Sequence, residues 1–124
     1  MSILPSGDNQ DPIQDLRNKL RHFAAERDWD QFHSPKNLAM ALSVEAAELL
    51  EHFQWLSDAD SAALSPEKRS KVGEELADVL LYLIRLADKL DIDLATAAAD
   101  KLSVNASKYP AHKARGSNKK YTEL

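Results

Sequence analysis

The chain has 124 residues, 44% of them hydrophobic, with Gly 3, Pro 5, Cys 0 and a net charge of -4. That length predicts one domain with a real core, and so little Gly and Pro disfavours a many-stranded sheet. The lack of Cys excludes disulfides, zinc–thiolate sites and a Cys nucleophile and is compatible with a cytoplasmic setting, while the acidic balance disfavours a general nucleic-acid binder.

No apolar run approaches the ~20 residues of a membrane span. The start of the chain lacks a charged region followed by an apolar one, so no secretory signal is expected. Residues 1–10 are polar, with Pro5 and Gly7, and are expected to be disordered. Asp11-Pro12 reads as an N-cap followed by Pro at the first helical position. Ile13, Leu16, Leu20, Phe23 and Ala24 follow at helical spacing, predicting a first helix to about Arg27. Asp28 to His33 form a loop that carries Trp29, Phe32 and His33. Ser34-Pro35 starts a second helix, with Leu38, Leu42, Leu49 and Phe53, ending near Gln54. Ser57 to Ser65 is a polar linker with room for a short helical turn.

Ser65-Pro66 opens a third helix, predicted to run to about Leu90. From Leu76 onwards it is apolar nearly all round. A helix of that kind is either central or covered by a partner subunit, so an oligomer is expected. Asp93 caps a fourth helix over Leu94–Lys108, and Pro110 ends it. The tail is basic, with Lys113, Arg115, Lys119 and Lys120 against Glu123. The expected organisation is a disordered segment at 1–10, a helical domain at 11–110 and a basic tail at 111–124. The fold class is all-α, a bundle of about four helices completed by oligomerisation.

Two acidic patterns stand out, Glu45-Ala46-Ala47-Glu48 and Glu75-Leu76-Ala77-Asp78. Helical residues three apart share a face, so each pattern sets two carboxylates side by side. Such a pair alone is commonly surface decoration. Here Asp78 lies in an apolar run, with Tyr82 four residues further along its stripe. Glu45, Glu48 and His52 share another stripe, with Trp55 just beyond. Carboxylates converging between helices would repel one another without a cation. No Glu is followed three residues later by His, as di-iron bundles require, so the donor set is all oxygen. That selects Mg²⁺, with Mn²⁺ as a substitute, over iron or zinc. Mg²⁺ held by carboxylates usually serves phosphates. No Gly-rich phosphate loop is present. Lys108, Arg85 and the basic tail are candidate second clamps on an anionic ligand. The competing reading of Trp29 and Trp55 is that they merely cap the bundle. A rival of another class is a non-catalytic helical interaction module whose acids merely keep the bundle soluble.

The paired motifs resemble the signature of the MazG-like all-α nucleoside triphosphate pyrophosphohydrolases. Phe23-Ala24-Ala25-Glu26-Arg27-Asp28-Trp29, Gln31-Phe32-His33, Phe53-Gln54-Trp55 and Lys120-Tyr121-Thr122-Glu123-Leu124 look like its dCTP pyrophosphatase branch. The likeness extends from about Ile13 to Leu124. It implies Mg²⁺-dependent hydrolysis of a nucleoside triphosphate, dCTP or a modified dCTP, to the monophosphate and pyrophosphate. It also implies Glu45, Glu48, Glu75 and Asp78 as the metal-binding and catalytic acids. Trp29, His33, Trp55 and Tyr82 would line the base and sugar pocket. Asn105 matches a polar pocket position, and Lys108, Lys120 and Tyr121 match a basic end that closes over phosphates. The family further implies a homotetramer. One departure is Leu20, where family members can carry a His; His22 lies two residues away and points elsewhere. The acidic signature alone is shared with dimeric dUTPases and phosphoribosyl-ATP pyrophosphatases. A broad-specificity or dUTPase-like enzyme is therefore the alternative.

Overall fold

The computed structural model describes residues 11–124, so the expectation of disorder at 1–10 lies outside the described residues. Every secondary-structure element among the described residues is helical, with no strand. Five of the helix starts are set by a side-chain cap, four of them in the first part of the chain. Asp11 Oδ1 accepts from the Ile13 N–H at 2.9 Å and opens α1, Pro12–Glu26. Ser34 Oγ accepts from the Asn37 N–H at 3.1 Å and opens α2, Pro35–Glu51. Ser57 opens a single helical turn, α3, Asp58–Ser61, inside the polar linker. Ser65 Oγ accepts from the Lys68 N–H at 3.2 Å and opens α4, Pro66–Lys89. Each cap satisfies one of the N–H groups that a helix start leaves without an intrahelical partner, and Pro supplies the helical φ after three of them.

The end of α2 differs from the sequence expectation. The helix stops at Glu51, not near Gln54. The His52 N–H donates to the Leu49 carbonyl at 3.2 Å and the Phe53 N–H to the Leu50 carbonyl at 2.9 Å. These tighter bonds between residues three apart wind the chain into turns ahead of Trp55.

The described chain falls into two compact units, one ending at Ile92 and the other spanning Asp93–Leu124. In the first unit α4 is the hub, with α2 and α1 both packed against it. Ala24, Leu38, Val72, Ile84 and Ala87 form its buried apolar centre. Leu42, Leu49 and Phe53, the other apolar residues noted on and just after α2, are half-buried. Of the two expectations for this helix, central or covered by a partner, the chain by itself leaves part of it open: Leu76 is 53% exposed and Leu80 38%. The apolar surface of α4 extends beyond what the chain itself covers. At the surface of this unit Arg21 grips Asp88 through two hydrogen bonds, Nε to Oδ2 at 2.7 Å and Nη2 to Oδ1 at 2.5 Å, tying α1 to α4.

The second unit contains α5, Leu94–Lys108, capped by Asp93, then the single turn α6, Ala111–Ala114, and a closing 3₁₀ turn at Tyr121–Glu123. Tyr121 folds back on the end of α5. Its ring meets Tyr109 edge-on at 6.0 Å, and the Lys108 ammonium lies 4.9 Å from its centroid. Among the described residues no helix is long and apolar enough to cross a membrane.

Candidate functional site

Because α2 packs on α4, the acidic stripes of these two helices face one another. Glu45, Glu48 and Glu75 each offer a carboxylate oxygen, and these oxygens lie within 4.8 Å of one another. All three residues are half-buried. Glu45 Oε2 and Glu75 Oε2 are buried without a hydrogen-bond partner. Two orphaned acceptors in one acidic cluster are a costly arrangement for the protein alone. The electrostatics agree. The Glu45 carboxyl is raised to about 7, first by burial, then by the adjoining Glu48 and Glu75 carboxylates and by the charge of Asp78. An oxygen-only donor set that protonates to relieve its own repulsion suits a hard divalent cation, which would satisfy the orphaned oxygens and replace the proton.

Asp78 stands differently from the other three. It is exposed, contrary to its expected burial in an apolar run, and it lies outside the cluster of converging oxygens. The reason is that the surrounding stretch of α4 is itself open on that side. Its charge still reaches Glu45. Tyr82, one turn further along, is half-buried.

The aromatic residues separate into two groups. Trp29 sits just past α1, with its ring edge-on to Phe23 at 5.7 Å and to His33 at 6.4 Å. The chain reaches it through a left-handed residue, Asp28, at φ 54°. The Trp29 N–H donates to the Ala24 carbonyl at 2.9 Å and the Asp28 N–H to the Ala25 carbonyl at 3.2 Å, a Schellman closure that fixes how the loop leaves the helix. Trp55, by contrast, is 88% exposed, and no ring contact joins it to Trp29 among the described residues. Asn105 is half-buried on α5, Lys108 and Tyr121 are joined as described, and Lys120 is exposed, all within the second unit.

Arg85 also differs from the sequence reading. As a candidate phosphate clamp it would need free N–H groups, yet it is buried and committed. Its Nη2 donates to Asp30 Oδ1 at 2.7 Å and its Nε to His33 Nδ1 at 3.1 Å. Asp30 and Lys89, which join the same network, were not singled out from the sequence. The available signal was Arg85 itself, a cation inside an apolar helical run that demands a counter-charge. His22, close in sequence to the departure at Leu20, pairs with Glu26 at 2.8 Å on the exposed side of α1.

This arrangement, a helical scaffold with facing acids and an aromatic loop, has clear relatives. A profile of the MazG-like family matches residues 40–124. The chain is 48% identical over 114 residues to dCTP pyrophosphatase 1 of Homo sapiens, covering 90% of this chain and 67% of that protein. The same figures hold for dCTP pyrophosphatase 1 of Rattus norvegicus, 48% over 114 residues. A solved structure, a pyrophosphatase from Archaeoglobus fulgidus, superposes with a TM-score of 0.77 at 38% identity, over 86% of this chain and 99% of the other. The chain belongs to the MazG-like family.

Proposed function

We propose that this protein is a nucleoside triphosphate pyrophosphatase that converts dCTP, or a base-modified dCTP, to the monophosphate and pyrophosphate. The observation that carries the reading is the convergence of Glu45, Glu48 and Glu75 within 4.8 Å, with two of their oxygens buried and orphaned. The 48% identity to dCTP pyrophosphatase 1 supplies the substrate. Glu45, Glu48, Glu75 and Asp78 would hold Mg²⁺, with Mn²⁺ as a substitute. When bound, the metal neutralises phosphoryl oxygens and orients the triphosphate. The chain does the rest. Ionised Glu45 is available to take a proton from the attacking water, and the cleaved bond is the anhydride between the first and second phosphates. The Trp29 ring offers a stacking surface for the base, with Trp55, His33 and Tyr82 as the other nucleoside contacts of the first unit. Asn105, Lys108, Lys120 and Tyr121 of the second unit are further candidate substrate-binding residues by likeness to the family. In this reading 11–110 is the catalytic helical domain and 111–124 a basic tail. The exposed leucines of α4 support a four-helix bundle completed in a homotetramer. The cysteine-free composition is consistent with a cytoplasmic enzyme.

The direct test is a nucleotide panel with product analysis. Incubation with Mg²⁺ should release pyrophosphate, not orthophosphate, with dCTP or 5-substituted dCTP ahead of dUTP and the purine nucleotides. Preference for dUTP would favour the dUTPase-like alternative. Failure to cleave any triphosphate would favour the interaction module.

A further inference from the structure

Arg85 interrupts the apolar run of α4 and is only 6% exposed. A guanidinium taken so far out of water needs partners for its N–H groups. Its Nη2 donates to Asp30 Oδ1 at 2.7 Å, its Nε to His33 Nδ1 at 3.1 Å, and Nη1 lies 3.6 Å from Asp88 Oδ2. Lys89, on the same helix, also donates to Asp30. One helix therefore holds both ends of the short stretch that follows Trp29.

The Arg85–His33 contact has a definite chemical sense. Arginine Nε–H is a donor and has no lone pair to offer. His33 Nδ1 must then be the acceptor, so the proton of the neutral ring sits on Nε2. A doubly protonated ring would set N–H against N–H. Burial, together with the Arg85 and Lys89 charges, also lowers the pKa of His33 and keeps the ring neutral.

We propose that Arg85 is a positioning residue that locks His33 as its Nε2–H tautomer and, through Asp30, clamps the segment from Trp29 to His33 onto α4. His33 then offers a fixed donor to an oxygen acceptor on the base or sugar of the nucleotide. The second part rests on the reading of Trp29 and His33 as nucleoside contacts; the lock itself does not.

The test combines nitrogen-15 NMR of the His33 ring in the full chain with steady-state pyrophosphate release. The variants are Arg85→Met, which removes the donor, and Asp30→Asn, which alters a side chain 65% exposed. The wild-type ring should carry its proton on Nε2. Arg85→Met should populate both tautomers, with the ring pKa moving up towards about 6.5. In both variants KM for the nucleotide should rise about five- to tenfold, with kcat within about twofold. A wild-type ring protonated on Nδ1, or an unchanged tautomer in Arg85→Met, overturns the lock. Unchanged KM in the folded variants overturns the positioning role. If Arg85→Met does not fold, the wild-type tautomer and the Asp30→Asn KM decide. If no triphosphate is cleaved, the nucleotide reading fails and the tautomer still decides the lock.

Discussion

Glu45 holds a carboxyl whose ordinary pKa of 4.5 is raised to about 7 by burial and by its acidic neighbours. A metal competes with that proton. Mg²⁺ or Mn²⁺ affinity should therefore tighten as pH rises from about 6 to 8, with proton release on binding that is largest below pH 7, measurable by calorimetry in buffers of different ionisation heat. Glu45→Gln should flatten that dependence. His33 works in the opposite sense. Its pKa is lowered from 6.5, so the unfolded chain binds the proton better. Its contribution to stability is complete above 6.5 and is lost as pH falls from there through the folded value. The difference in Tm between wild type and His33→Gln should therefore shrink on acidification through this window, whereas Asp30 and Asp88, both lowered from 3.8, act only at lower pH. The acids were legible in the sequence because a spacing of three in a helix fixes a shared face without reference to anything distant. The Asp30–Arg85 and His33–Arg85 contacts were not, since their partners lie 55 and 52 residues apart.

At the scale of elements, the helix starts were readable because a cap and a following Pro act within one turn. Ser65→Ala should cost about 1 kcal/mol by chemical denaturation, since the Lys68 N–H loses its acceptor. The helix ends were less readable, because their closure depends on backbone angles that residue type only biases. Both α1 and α4 close through Schellman turns that place an aspartate in the left-handed region, Asp28 and Asp91, each at φ 54°. At the second, the Ile92 N–H donates to the Ala87 carbonyl at 2.9 Å and the Asp91 N–H to the Asp88 carbonyl at 3.1 Å. Glycine adopts that conformation without the steric penalty of a Cβ. Asp91→Gly should stabilise the protein by roughly 0.5–1 kcal/mol, read from the same denaturation curves. Asp28→Gly should gain less, because Asp28 Oδ2 also accepts from Gln31 Nε2 at 3.0 Å.

At the scale of the whole molecule, the apolar periodicity of α4 announced a helix with more hydrophobic surface than one chain needs, but not which side stays open. That depends on where α1 and α2 land. Leu76, Leu80 and Leu83 fall at helical spacing and remain 53%, 38% and 37% exposed. A stripe of this kind is expected to be covered by another copy of the chain. Sedimentation should give a multiple of the 13.8 kDa chain mass, and Leu80→Glu should shift the distribution towards the single chain. A monomeric wild type would contradict the tetramer. The central claim is that the facing acids of α2 and α4 are the catalytic metal centre, and a comparison of Mg²⁺-dependent pyrophosphate release from dCTP tests it most directly. Folded Glu48→Gln and Asp78→Asn proteins should each lose at least about 100-fold in kcat relative to wild type. Release that persists undiminished in both would contradict the assignment.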